Sequence, residues 1–168
     1  MNPFTEDWLS SYRKRMQLRV ESGANISPKV SLSATKSSMG RRSDLGNAFF
    51  RSSWEANYAR YLNFLKGRGE VSRWEYEPDT FWFEGIKRGV RSYKPDFKVW
   101  PPKTGAPHYV EIKGWMDPRS KTKLKRMKIY HPGVRVVLVG ATEYRGLDRT
   151  IGRVLPGWER PRGNVAAK

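Results

Sequence analysis

The segment VRVVLVG at residues 134–140 constrains the fold more than any other part of the chain. A continuous apolar run of this length, preceded by Pro132-Gly133, reads as a β-strand buried on both faces, the kind that lies in a sheet covered by helices. Before it comes MDPRSKTKLKRMKIYHPG, a basic helix over 118–130 with Pro118 near its start and Pro132-Gly133 closing it. That helix-to-strand step suits a right-handed crossover onto a central sheet. The chain is therefore expected to be α/β, with a mixed central sheet flanked by helices.

The remaining elements fit around that strand. Trp54, Tyr58, Tyr61, Leu62 and Leu65 form one apolar stripe, which predicts a helix over 52–66 stopped by Gly67 and Gly69. VSRWEYEP at 71–78 alternates with period 2, and FWF at 81–83 is a second strand-like run. YKPDFKVW, the turn-rich PPKTGAP and HYVEIKGW then read as strand, loop and strand. With 168 residues the chain is long enough for one domain with a real core, expected over 46–155. Residues 1–45 read as a basic helix over 4–20 followed by a mobile basic arm, and 156–168 as a poorly ordered tail. No internal repeat of 20–50 residues is visible.

Charge points to the partner. Lys and Arg total 33 against 16 Asp and Glu, a net charge of +17. Such a surface suits a polyanion, DNA or RNA, with a ribosomal-type structural protein or a binder of anionic membranes as the plainer alternatives. Zero cysteines exclude disulfide scaffolds, thiolate nucleophiles and Cys-ligated zinc or iron–sulfur centres. No apolar run approaches the roughly 18 residues of a membrane span. The stretch MNPFTEDWLSSYRKRMQ lacks the features of a secretory signal.

Chemistry concentrates in the expected hairpin. Symmetric pairing about Thr104 would place Asp96 opposite residue 112, close to both Glu111 and Lys113, which share one face of their strand. Val110 and Ile112 would point the other way, into the core. Two adjacent carboxylates repel, and burying them without a counter-charge is costly. A hard divalent cation, Mg²⁺ or Mn²⁺, resolves the conflict. Lys113 could then orient or deprotonate a water, or stabilise charge developing on a phosphate. Together with the basic surface, this describes metal-assisted phosphodiester hydrolysis.

PDFKVW followed by VEIKGW resembles the PD-(D/E)XK nuclease superfamily, with Pro95-Asp96 as the PD and Glu111-Ile112-Lys113 as the E-x-K, and with 14 residues between Asp96 and Glu111. The superfamily's restriction-endonuclease-like core has an α-β-β-β-α-β order, similar to the order read here. RSSWEANYARYLNFL, WEYEP, RSYKPDF and VEIKGW together resemble the layout of the phage endonuclease I family of junction-resolving enzymes, over about residues 51–139. The resemblance implies a divalent-metal-dependent DNA endonuclease, most closely a Holliday-junction resolvase of a phage, working in the host cell cytoplasm on branched four-way DNA. It implies a metal site of Glu55, Asp96, Glu111 and the Ile112 carbonyl, with Mg²⁺ as cofactor and Mn²⁺ as substitute. It also implies Lys113 beside the water, and cleavage leaving a 5′-phosphate. Symmetric cutting of a junction needs two sites, hence a homodimer. A nuclease or nickase acting on single-stranded, forked or linear DNA is the first alternative, and a non-catalytic nucleic-acid-binding protein the second.

Each residue also has a plainer reading. Ser52-x-x-Glu55 is a capping box, Pro95-Asp96 is ordinary turn chemistry, and Glu111 with Lys113 could be a solvated pair on an edge strand. Glu75 and Glu77 read as a solvent-facing edge, or else as an outer contact to the site. His108 and His131 read as ordinary polar residues near element ends. Arg119, Lys121, Lys123 and Lys125 on the basic helix are expected to meet phosphates, and Arg41, Arg42 and Arg51 a second duplex arm. Trp74, Trp82 and Trp115 read as core residues by size, with stacking on unpaired bases as the alternative. Of these Trp115, next to Lys113-Gly114, is placed near the substrate.

Overall fold

The computed structural model describes residues 39–103 and 105–160. The helix expected over 4–20 and most of the basic arm lie outside the described residues. The first elements are β1 (Gly40–Arg42) and β2 (Ala48–Phe50), an antiparallel hairpin. A helix, α1 (Ser53–Gly67), follows, then β3 (Arg73–Tyr76), β4 (Phe81–Trp82), β5 (Ser92–Tyr93), β6 (Phe97–Trp100) and β7 (His108–Lys113). The chain continues through α2 (Pro118–Tyr130), β8 (Val136–Gly140) and α3 (Ala141–Arg149) to a 3-10 turn at Ile151–Arg153. Among the described residues no helix is long and apolar enough to cross a membrane.

The fold is mixed α/β. Its main sheet has the order β3-β6-β7-β8, antiparallel across β3–β6–β7 and parallel between β7 and β8. Without the short β4–β5 ribbon, the elements from α1 to β8 run α-β-β-β-α-β. Strand alternation sorts the core into two layers. Phe97, Val99, Val110, Ile112, Val137 and Val139 share one face, and all are buried. Tyr58 of α1 packs there, its ring 5.4 Å from Phe97, while Trp74 and Tyr76 of β3 close on the same phenylalanine. On the opposite face Tyr109 meets Phe81 edge-on at 5.0 Å. Phe83, Tyr93 and Met127 are buried together with Leu124 and Val136, so α2 and the β4–β5 ribbon cover that side.

Several expectations need correction. YKPDFKVW does not form one strand: Lys94-Pro95-Asp96 interrupts it, and Ser92–Tyr93 turns away to pair with β4. Proline carries no N–H for a ladder, which accounts for a break at this point. The hairpin register is one residue off the symmetric guess, since Phe97 pairs with Val110. Extending that register sets Asp96 opposite Glu111 rather than residue 112. VRVVLVG supplies an edge strand, with Val137 and Val139 buried and Val136 and Leu138 only half-buried.

The expected domain limits also shift. The boundary at 45/46 cuts through the β1–β2 hairpin, and residues 156–160 are folded rather than tail. Trp158 lies so close to Gly152 that a Cβ there would stand 2.6 Å from the indole nitrogen. Glu159 accepts from Arg42 at 2.6 Å and from Arg60 at 2.9 Å. Residues 161–168 lie outside the described residues.

Candidate active site

The register gathers the expected pair. Asp96, just before β6, faces Glu111 on β7; their fractional exposures are 4% and 9%. The Ile112 amide donates to Asp96 Oδ2 at 2.7 Å, which ties the carboxylate to the strand edge where the β6 ladder ends. Glu111 Oε2 accepts from the Tyr93 hydroxyl at 2.9 Å. Burial, and then the facing Glu111 charge, push the Asp96 pKa well above the usual carboxylate range. Burial also raises Glu111, although the Tyr93 hydrogen bond and the Lys113 charge oppose the shift. Like charges in a dry site cannot both ionise cheaply, so near neutral pH the pair retains a proton unless a cation arrives.

Glu55 is placed differently from the expectation. Ser52 caps α1, accepting from the Glu55 amide at 3.2 Å while its hydroxyl donates to Glu55 Oε1 at 2.9 Å. Glu55 Oε2 accepts from the Arg51 amide at 3.0 Å and from the Tyr76 hydroxyl at 2.5 Å. The capping-box reading therefore holds, and both oxygens are occupied. Among the described residues no three His, Cys, Asp or Glu side chains are assembled as a cation cage. In this structure Glu55 serves as the cap of α1, and its charge is still felt by Asp96.

Arg51 connects the two carboxylates. Its backbone serves Glu55, and its guanidinium reaches Asp96 Oδ1 at 3.2 Å and Glu77 Oε1. Arg51 is thereby paired with two acids of the site while its side chain stays 55% exposed. Glu77, read from sequence as an edge residue, has a left-handed backbone with φ 47°. A non-glycine residue rarely adopts that conformation, and such strain gathers at functional sites. Tyr76, Glu77 and Tyr93 are the site neighbours that the sequence reasoning missed or underweighted. Alternation in WEYEP could point to Tyr76, but no local pattern marks Tyr93.

Lys113 shares the Glu111 face of β7, and its ammonium lies 3.6 Å from Asp117 Oδ2. Asp117 caps α2, and hydrogen bonds from the Ser120 hydroxyl and amide hold its carboxyl far below the usual range. Gly114 lies close against Trp54: a Cβ there would stand 3.3 Å from the ring, tight enough that the indole would have to shift by a few tenths of an ångström. Trp54 is itself stacked on Tyr144 at 3.9 Å. Trp115 next to it is 67% exposed. On α2, Arg119, Lys121 and Lys125 are exposed and Lys123 is partly so, its ammonium 5.9 Å from the centre of the Tyr93 ring. Arg41 is exposed, whereas Arg42 is committed to Glu159 and is not an arm cation.

The donor chemistry of the Asp96–Glu111 pair fits a hard divalent cation. Both offer carboxylate oxygens, both are buried, and each is held back from ionising chiefly by burial. The Ile112 carbonyl lies on the same strand edge as the amide that binds Asp96, because N–H and C=O of one strand residue face one neighbour. Comparison with known protein families, with curated proteins and with solved structures found no match.

Proposed function

We propose that the chain is a divalent-metal-dependent, structure-selective DNA endonuclease, and that its substrate is branched DNA, a four-way junction foremost. One observation carries the reading: two facing buried carboxylates, Asp96 and Glu111, stand beside Lys113 on one strand of a chain with net charge +17. The α-β-β-β-α-β order and the PDFKVW and VEIKGW motifs support a PD-(D/E)XK nuclease with Mg²⁺ as cofactor and Mn²⁺ as substitute. Asp96, Glu111 and the Ile112 carbonyl would hold the ion, which when bound supplies Lewis acidity to a phosphate oxygen and lowers the pKa of a water.

The protein's own groups do the rest. Tyr93 and the Ile112 amide hold the two carboxylates in place through their hydrogen bonds. Lys113, steadied as an ammonium by Asp117, positions the attacking water and offsets charge on the scissile phosphate. Arg119, Lys121 and Lys125 present positive charge to the DNA backbone and set register rather than sequence. Junction cutting at two symmetric points calls for a homodimer. The exposed Trp82 and Trp115 favour a second reading, a nuclease of forked or single-stranded DNA.

The test is cleavage of a labelled four-way junction in saturating Mg²⁺, beside a fork, a linear duplex and a single strand, with Glu111→Gln as control. Paired nicks in the junction alone, lost in the variant, are expected. Cutting of the fork or single strand in preference selects the second reading. Metal-independent binding with no cutting of any substrate would remove the enzyme.

A further inference from the structure

We propose that the groove between the β4–β5 ribbon and the first turns of α2 binds one unpaired nucleotide of a DNA strand, its base stacked on Trp82 and its phosphate met by Arg91, Arg119 and Lys123. The inference rests on the nucleic-acid reading above and narrows it to strands with unpaired bases. Trp82 is 62% exposed, although Phe83 beside it is buried and Phe81 partly so. The pairing of Phe81 with Tyr93 and of Trp82 with Ser92 explains this: one pair faces the core, the next faces outward.

The ribbon that carries the indole is held on several sides. Its carbonyl at Trp82 lies 3.0 Å from His131 Nε2. The Phe83 amide donates to Arg91 O at 2.9 Å, and the Arg126 guanidinium donates to Val90 O. Tyr93 is buried, and Phe81 packs against His131 at 5.1 Å. The aromatic face is thus presented on a supported element rather than a loose loop.

Beside it is a groove of about 240 Å³, lined by Trp82, residues 89–92, Arg119 and Lys123. No acidic side chain lines the groove, and Arg91 and Arg119 form no ion pair among the described residues. A flat ring beside three cations, with no acid in the groove lining and with Glu111 near Lys123 alone, matches a ligand with one π-face and one anionic group. Every base has such a face, but a paired base keeps it inside the stack, so the ligand is an unpaired nucleotide. Lys123 and Ser92 of the lining also border Tyr93: Lys123 stands over its ring, Ser92 precedes it in the chain, and its hydroxyl binds Glu111.

The experiment measures binding of a short fluorescein-labelled oligothymidylate and of a blunt duplex in EDTA, by anisotropy, with circular dichroism to check folding. Trp82→Ala is expected to weaken single-strand binding about tenfold or more, Trp82→Phe to keep most of it, and duplex binding to stay level. An abasic residue in the strand should reproduce the loss in the natural sequence and add little in Trp82→Ala. Arg91→Ala should lower the salt slope by roughly one. Equal binding by Trp82→Ala, or an equal loss on duplex and single strand, overturns the proposal. Cleavage in Mg²⁺ is read separately. A protein that binds single strands through Trp82 but cuts nothing loses the nuclease reading and keeps the groove. One that cuts while Trp82→Ala binds and cuts unchanged loses only the groove.

Discussion

Two clusters of buried polar side chains, one on α1 and one beside it, are built on opposite rules. Around Arg60 and Asn57, 8% and 0% exposed, every charge meets its opposite. Arg60 binds Asp44 at 2.7 Å, Glu159 at 2.9 Å and Asn57 at 2.9 Å, and Asn57 donates to Tyr144 at 2.7 Å. The hydrogen bond from Arg60 holds Asp44 below the usual carboxylate range, and Arg42 and Arg60 keep Glu159 low in spite of its burial. Around Asp96 and Glu111 the sign reverses: like faces like, and both carboxyls are pushed up. Balanced buried charge holds a fold together. Like charges buried together destabilise the chain alone, and Arg51, 3.2 Å from Asp96 Oδ1, offsets only part of that cost, the excess for which a bound cation is proposed above.

The comparison breaks most sharply at Glu111. Glu111→Gln should cut cleavage by about 10³-fold or more, and melting in the absence of metal should be no lower than for the natural chain. It should also abolish the stabilisation by Mg²⁺, about 2.7 kcal/mol at a hundredfold excess over Kd, which calorimetry would detect. A metal-induced shift that survives the change would remove Glu111 from the site. Arg60→Ala tests the other cluster. It should cost about 3 kcal/mol in urea unfolding by leaving acids without their cation, with activity per folded molecule kept.

His108 gives a smaller, pH-dependent contrast at the far end of β7. Burial, with help from Arg135, lowers its pKa to about 4. The unfolded chain takes up this proton near pH 6.5, so stability is full above that value and falls as the pH drops toward 4. His108→Gln should flatten that loss, worth about 3 kcal/mol, in melting curves collected across the window. Smallest of all, Lys121→Ala and Lys125→Ala should each lower the salt slope of DNA binding by roughly one, with little effect on specificity.

What could be read from sequence was local and periodic. The stripe from Trp54 to Leu65 located α1, and Asp117-Pro118 with Pro132-Gly133 bounded α2. The acidic pair and Lys113 were legible because they lie on two neighbouring strands. Their register was not, because it depends on how the 101–107 loop divides its residues. The symmetric register expected above would in fact put Asp96 on the face of its partner Ile112, away from Glu111 and Lys113, and the one-residue slip observed brings it onto theirs. The segment 141–155 gave no strong signal, and α3 emerged only with its packing, Tyr144 against Trp54 and Trp158. The roles of Arg42, Arg51 and Glu55 were equally hidden. An arginine shows its charge in the sequence, but not the acid, here up to 117 residues away, that accepts it.

That long-range pairing has a bearing on how the chain folds and how long it lasts. Arg42 sits in the first described strand, and Glu159 is the penultimate described residue. Closing a contact across 117 residues costs more chain entropy than closing the hairpins of the sheet, so the clasp between them is expected to close late. Contacts that form after the folding barrier act on the rate of opening rather than of folding. Arg42→Ala should therefore leave refolding near its natural speed and hasten unfolding, a difference that stopped-flow kinetics would resolve. The clasp works as a lock on the finished molecule, setting its lifetime rather than its route.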